Sequence, residues 1–195
     1  GMSGSPSSQA ELAKQFEHVA RLDTTGEGPP VEEWDPELTG DLELVIARDG
    51  RWLYQGREIE RHRLKKLFAG IMRREADGGY FLLTPVEKYR IQVEDAAFIA
   101  HSLEVEGEGD NRVLWFTTDM DDVFALGEAH PLVMRRNTDT GEDVPYLLVK
   151  RNLEARVERN AFYHLTELAE PRTINGRTHY GVTSQGTFFS LGEAD

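Results

Sequence analysis

The sequence predicts an α+β protein of two similar lobes, each a small antiparallel sheet with one long helix. Three observations predict it. Short segments alternate apolar and polar residues with period two, as in Leu42, Leu44 and Ile46. Leu64, Leu67, Phe68, Ile71 and Met72 instead recur at helical spacing and form one apolar stripe. The order strand, strand, helix, glycine turn, strand opening on a tyrosine, interruption, strand then appears twice, offset by about one hundred residues. In that offset Arg61 falls near Arg159, Asp77-Gly78 near Asn175-Gly176, and Tyr80 on Tyr180.

Each element has a local reason. Ser8 followed by Glu11 reads as a capping box, and Leu12, Phe16, Val19 and Ala20 give the helix it opens a narrow apolar face. Residues 24–30, rich in Gly and Pro, read as a linker. Trp34 is expected to anchor the start of the folded region. Asp49-Gly50 predicts a hairpin turn between residues 42–47 and a returning strand at Trp52-Leu53-Tyr54. The helix from Arg61 is expected to end at Asp77-Gly78-Gly79. Tyr80-Phe81-Leu82-Leu83 suits a strand buried on both faces. Thr84-Pro85 breaks it, since proline cannot donate to a ladder. Residues 86–93 resume with Tyr89, Ile91 and Val93 on one face and Lys88, Arg90 and Gln92 on the other.

The second half is read the same way. Residues 98–105 form a strand with Ile99, Leu103 and Val105 inward, and 106–111 an acidic, glycine-bearing hairpin loop leading to a partner strand. Asp119, Asp121 and Asp122 suit the N-terminus of a short helical or turn connection. His130-Pro131 opens an edge strand, and residues 146–149 and 153–157 are strand-like. A helix over 160–169, with Asn160 as N-cap, carries Phe162, Leu165, Leu168 and Ala169 on its apolar face. Strands at Tyr180-Gly181-Val182 and Thr187-Phe188-Phe189 end the chain.

Bulk composition narrows the function. The 195 residues suit one compact domain or two small ones. Apolar residues make up 39%, enough for a real core. With no cysteine, disulfides, thiolate metal sites and cysteine nucleophiles are excluded, which suits a reducing cytoplasm. A formal charge of -13 argues against general nucleic-acid or anionic-membrane binding. No apolar run is long enough to span a bilayer, no secretory signal opens the chain, and Gly1 before Met2 reads as a tag-cleavage scar.

A set of strings is more specific. They begin with residues 46–56 (Ile-Ala-Arg-Asp-Gly-Arg-Trp-Leu-Tyr-Gln-Gly) and continue through Leu67-Phe68, Arg73-Arg74-Glu75, Tyr80, Thr84-Pro85-Val86-Glu87-Lys88, Arg90-Ile91 and Val93-Glu94-Asp95. They resume at residues 105–109, Asp121-Asp122-Val123, His130-Pro131-Leu132, Pro145-Tyr146 and Gly181-Val182. This ordered set, over most of residues 34–191, resembles a bacterial family, domain-of-unknown-function family 1285. The resemblance implies a duplicated domain whose C-terminal half is a pleckstrin-homology-like, partly closed barrel. It also implies a nucleotide-type ligand between the lobes and a role in signal transduction, with no established activity. The domains expected are residues 1–33 (scar, amphipathic helix, linker), 34–95 (N-terminal α+β lobe) and 96–195 (C-terminal pleckstrin-homology-like lobe).

Charge is not spread evenly. Residues 48–74 hold nine Lys or Arg against three acids, a local reversal of sign that continues at Lys88 and Arg90. Such donors suit a phosphate or carboxylate, arginine giving bidentate contacts; a solvated helix face is the plainer account. A second cluster, Arg135-Arg136 with Lys150-Arg151, is expected to face itself across a hairpin, calling for an anion or for nearby acids. The functional reading places an anion between the two clusters, at the junction of the lobes. Glu87 shares the apolar parity of Tyr89 and Ile91, so it needs a partner: an arginine as a structural pair, or a substrate if it acts as general base. Trp52, Tyr54, Tyr80, Tyr146 and Tyr163 are each either packing residues or platforms for a base. The aspartates at 119–122 invite Mg²⁺ but fit helix capping better, and the six histidines lack zinc spacing.

These readings lead to a non-enzymatic cytoplasmic protein that binds a nucleotide-like or phosphorylated small molecule. Its candidate ligand residues are Arg61, Thr84, Glu87, Lys88 and Arg90 from the first half, and Tyr146, Arg151 and Ser184 from the second. No metal, cofactor or nucleic acid is expected. The alternatives are an enzyme acting on a phosphorylated substrate through Glu87, or a protein-interaction adaptor using its sheet edges and N-terminal helix.

Overall fold

The structure, a computed structural model, describes residues 6–195; the scar read at Gly1 and Met2 lies outside the described residues. The chain divides into two compact units, residues 1–95 and 96–195. The described residues are mostly β, with three α-helices.

The first unit opens with α1 (Gln9–Ala20). Ser8 caps it, its Oγ accepting from Glu11 N at 3.1 Å, while the Glu11 carboxylate accepts from Ser7 in place of Ser8. Twelve residues are marginal for an isolated helix, so docking sustains it. Leu12, Phe16 and Val19 are wholly buried, each stabilising by about 1.5–3 kcal/mol relative to exposure. Ala20, expected on that face, is exposed. After a 3-10 turn at Val31–Glu33, the anchor is Val31 more than the half-buried Trp34.

The strands β1 (Leu38–Ile46), β2 (Trp52–Tyr54) and β3 (Arg57–Glu58) follow as an antiparallel meander. Gln55 and Gly56, both at positive φ, make the second turn. Next come α2 (His62–Gly70), β4 (Met72–Arg74), β5 (Tyr80–Leu83) and β6 (Lys88–Val93). The expected long helix is nine residues. Gly70 ends it, and Ile71 and Met72 are buried where the chain leaves the helix and enters β4. Asp77-Gly78 is the β4–β5 hairpin turn, with Gly78 N bonded to Glu75 O. A helical stripe and a buried strand both read as closely spaced apolar residues, which is why the spacing overran.

The second unit has β7 (Phe98–Glu106), β8 (Val113–Thr118), β9 (Val123–Ala125), β10 (Leu132–Arg136), β11 (Asp143–Lys150) and β12 (Leu153–Val157). A bulge between Ala100 and Ser102 reverses the parity of β7, so Phe98, Ala100 and Leu103 are buried and Val105 is exposed. No helix starts at the aspartates: Thr118 Oγ1 accepts from Met120 N and Asp122 N, closing a turn with Asp121 at positive φ. After β12 come α3 (Arg159–Leu168), β13 (Glu170–Ile174), β14 (Arg177–Ser184) and β15 (Thr187–Glu193). Glu158, not Asn160, is the N-cap of α3, and Ala161 and Leu165 are its buried residues.

The two six-stranded sheets are alike. Their orders are β3-β2-β1-β6-β5-β4 and β9-β8-β7-β12-β11-β10. In each, two antiparallel meanders meet at a central parallel pair, β1 with β6 and β7 with β12. The sheets are therefore mixed, not antiparallel. The match runs at an offset of about 60 residues, from Leu38 to Phe98 at the start of β1 and β7. The alignment of Tyr80 on Tyr180 fails, since β5 corresponds to β11 and Tyr180 lies in a separate three-stranded sheet, β13-β14-β15. Nor are the helices equivalent: α2 lies between the third and fourth strands, whereas α3 follows the sixth.

Candidate functional site

The core of the first unit brings α1 and α2 together. Phe68 of α2 stacks on Trp52, with ring centroids 6.5 Å apart. Phe16 of α1 packs edge-on to Phe68 at 5.9 Å and to Tyr89 at 5.8 Å. Above this contact the two helices leave a groove of about 880 Å³. Arg61, His62, Arg63 and Lys66 line its α2 side. Ala13, Ala20 and Leu67 supply apolar surface, and Glu17 is its one carboxylate. Arg61 is the N-cap of α2 but gives no side-chain cap, and no acid occupies the first turn. Among the described residues, Arg61, Arg63 and Glu17 form no ion pair. The groove thus presents guanidinium groups and the amide end of a helix, both of which favour an anion.

The remaining first-half candidates lie elsewhere in the unit and serve the fold. Thr84, wholly buried, orders the β5–β6 turn: its Oγ1 accepts from Glu87 N at 2.9 Å and Val86 N at 3.3 Å. Among the described residues, Glu87 pairs with no arginine. Its carboxylate takes the hydroxyl of Tyr89, which also accepts from Gln15 Nε2 of α1 at 3.1 Å. Burial and then the hydrogen bond to Glu87 push the Tyr89 phenol up to about 12. A carboxylate in such a contact holds a neighbouring strand residue to α1.

Lys88 and Arg90 do share a face, as alternation predicts, but they cover Phe81. The Lys88 Nζ lies 4.6 Å and the Arg90 guanidinium 4.8 Å from that ring's centroid. Lys88 Nζ also donates to Glu75 Oε1 at 2.8 Å, and Arg73 to Glu75 Oε2 at 2.7 Å. Burial pushes the Glu75 carboxyl up, but the hydrogen bonds from Lys88 and Arg73 outweigh it and hold it below its ordinary value. Arg73 further donates to the carbonyls of Val31 and Trp34, tying the entry segment to β4. This network is structural and was missed in the sequence, where Glu75 is one acid beside a pair of arginines.

The second-half candidates are not gathered into one site either. Arg136 pairs with Asp143 at one end of β11, while Lys150 and Arg151 are at the other end, roughly 24 Å along the strand. The expected confrontation of like charges does not occur. Arg135 covers the ring of Tyr146 at 4.1 Å and pairs with Glu154, and Lys150 pairs with Asp122 at 2.8 Å. Arg151 sits at positive φ in the β11–β12 turn. Ser184 is wholly buried, its Oγ accepting from Leu114 N at 2.9 Å. Gln185 adds to that tie between β14 and β8, its backbone N donating to Arg112 O at 2.9 Å. Of the aromatic candidates, Trp52 and Tyr54 are core, and Tyr163 is exposed on α3. Among the described residues, no group of three or more acids and histidines is placed to hold a metal ion, and no helix is long and apolar enough to cross a membrane.

Comparison with known proteins matches this architecture. The family model described as "Domain of unknown function (DUF1285), N-terminal domain" matches residues 29–96. That described as "Protein of unknown function (DUF1285), C-terminal domain" matches residues 97–191. The crystal structure of a DUF1285 family protein from Silicibacter pomeroyi DSS-3 is similar over 98% of this chain and 97% of its own, at 38% identity and a TM-score of 0.85. One from Shewanella baltica OS155 is similar over 65% of this chain and 91% of its own, at 28% identity and a TM-score of 0.52. No curated protein matches the chain.

Proposed function

This chain belongs to the DUF1285 family, whose function is unknown, and we propose that it binds a phosphorylated or nucleotide-like small molecule in the groove between α1 and α2. The observation that carries this reading is the groove's lining: Arg61 and Arg63, without ion pairs among the described residues, beside Lys66 at the uncapped start of α2. Its volume of about 880 Å³ is within the range of small-molecule sites. Of the eight candidate residues, Arg61 is the one retained. The others are held in turns, ring contacts or hydrogen bonds that the fold uses. Binding without catalysis is preferred, because Glu87 is engaged by Tyr89 and stands outside the groove lining.

We extend the proposal to a cytoplasmic signalling role, as the family resemblance implies, and to two points of ancestry. The shared strand order of the six-stranded sheets supports a duplication. The packing of α3 on β7 and β14 supports a distant pleckstrin-homology-like fold for the C-terminal unit.

The test is calorimetric titration with pyrophosphate, AMP and ribose 5-phosphate, comparing the full chain with Arg61→Ala/Arg63→Ala. Both arginines are exposed, so melting should stay within a degree or two. Binding should fall at least about tenfold. Unchanged affinity in the double variant would remove the groove as the site.

A further inference from the structure

The lining of the groove narrows the ligand class. This step rests on the reading above, that an anion binds there. We infer that the groove takes a polyol monophosphate, recognised at its phosphate and its hydroxyl groups and not at a base.

Three features carry it. The first is Glu17, one turn along α1 from Ala13 and one turn before Ala20, on the groove-facing side of that helix. It forms no ion pair among the described residues. A carboxylate opposite guanidinium groups repels a ligand that is anionic throughout, because like charges a few ångströms apart are costly. It favours a ligand whose far end donates hydrogen bonds, and vicinal hydroxyls suit the two oxygens of one carboxylate. The second feature is what is missing from the lining: it contains no Phe, Tyr or Trp. A base would find no large aromatic ring there, only the exposed His62 imidazole and guanidinium planes that the phosphate itself engages, and stacking on large rings is the main sequence-tolerant source of base affinity. The third is the aliphatic surface supplied by Ala13, Ala20, Leu64 and Leu67, which suits the carbon frame of a polyol. A second phosphate would have to approach Glu17, so a monophosphate fits better than a polyphosphate.

A matched pair of three-carbon probes tests this. Glycerol 3-phosphate and n-propyl phosphate carry the same phosphate, and only the first has hydroxyls. Titrated into the full chain, glycerol 3-phosphate should bind about tenfold more tightly, since hydrogen bonds to a charged group are the stronger kind. In Glu17→Ala, a change at an exposed helix position, the two should bind alike. AMP and ribose 5-phosphate, which separate nucleotides from sugar phosphates, should agree within about threefold without a large aromatic ring to stack on. Equal binding of the three-carbon pair by the native chain would overturn the inference, as would preference surviving Glu17→Ala or AMP binding more than about tenfold tighter than ribose 5-phosphate. In each of those cases the anion site itself would still stand. No binding by any phosphate, or binding insensitive to Arg61→Ala/Arg63→Ala, would instead remove the groove as an anion site, and this inference with it.

Discussion

The two six-stranded sheets share every strand neighbour and every strand direction, yet they pass from third to fourth strand differently. In the first, β3 leads into α2, whose Phe68 reaches the core between Trp52 and Phe16. In the second, β9 and β10 are joined by residues 126–131, closed by a Gly127–His130 bridge. Strand order therefore does not depend on that connection. It follows from the hairpins on either side and from the central parallel pair that joins them. Freed from that duty, the connection can carry side chains for another purpose, and in the first unit it carries Arg61, Arg63 and Lys66. The second unit differs also in its appended sheet β13-β14-β15, which has no counterpart among the described residues of the first.

The largest effect should come from removing what α2 adds. Phe68→Ala empties a wholly buried ring site and should cost about 3–5 kcal/mol, read as a lower urea midpoint. Hydrogen exchange should localise the loss to residues 38–93. A cost below about 1 kcal/mol would mean that α2 is no more needed by its sheet than a helix is by the other. Ser184→Ala probes the appended sheet in turn. It leaves Leu114 N–H buried without its acceptor, at about 1–3 kcal/mol, with faster exchange at Leu114 and no change in phosphate binding. An effect on binding rather than stability would restore Ser184 as a ligand residue.

The smallest effect should come from Lys88→Met, which removes one of the two cations on Glu75, at about 1 kcal/mol or less for a partly exposed pair. Its pH dependence is diagnostic. The folded Glu75 carboxyl lies below its ordinary value of 4.5. Its contribution is therefore full above that value and is lost as pH falls through the lower, folded one. The native chain should lose more stability between about pH 5 and pH 3 than Lys88→Met does. Parallel curves would show that the cation does not act on Glu75.

Alternation and turn residues made most strands of the first sheet legible, because Leu42, Leu44 and Ile46 keep alternate burial along β1 even where its register with β6 shifts. The bulge in β7 was not legible, since one extra residue leaves composition unchanged while reversing parity. The repeat was recognisable as a repeat but misaligned. Helix and glycine turn are the strongest local signals, but α2, α3 and the Asn175-Gly176 turn lie where the halves differ, whereas the Asp77-Gly78 turn belongs to a hairpin they share. The proposed site was read only in part. The cationic run at residues 48–74 contains the groove arginines, but Glu17 comes from a helix more than forty residues earlier, and no spacing rule joins the two. Lys88 and Arg90 looked available because alternation reports the face a residue occupies, not the ring or carboxylate it meets there.

The docking of α1 bears on how the chain can be cut. The N-terminal family match begins at residue 29, which tempts one to express a fragment from that point. Such a fragment would lack Phe16 and bare the edges of Phe68 and Tyr89 to water, along with the phenol that Gln15 holds. It would meet other copies of itself through greasy aromatic surface. A soluble truncation should therefore keep the twelve helical residues and the serine that starts them, and spare the segment usually trimmed away as a disordered leader.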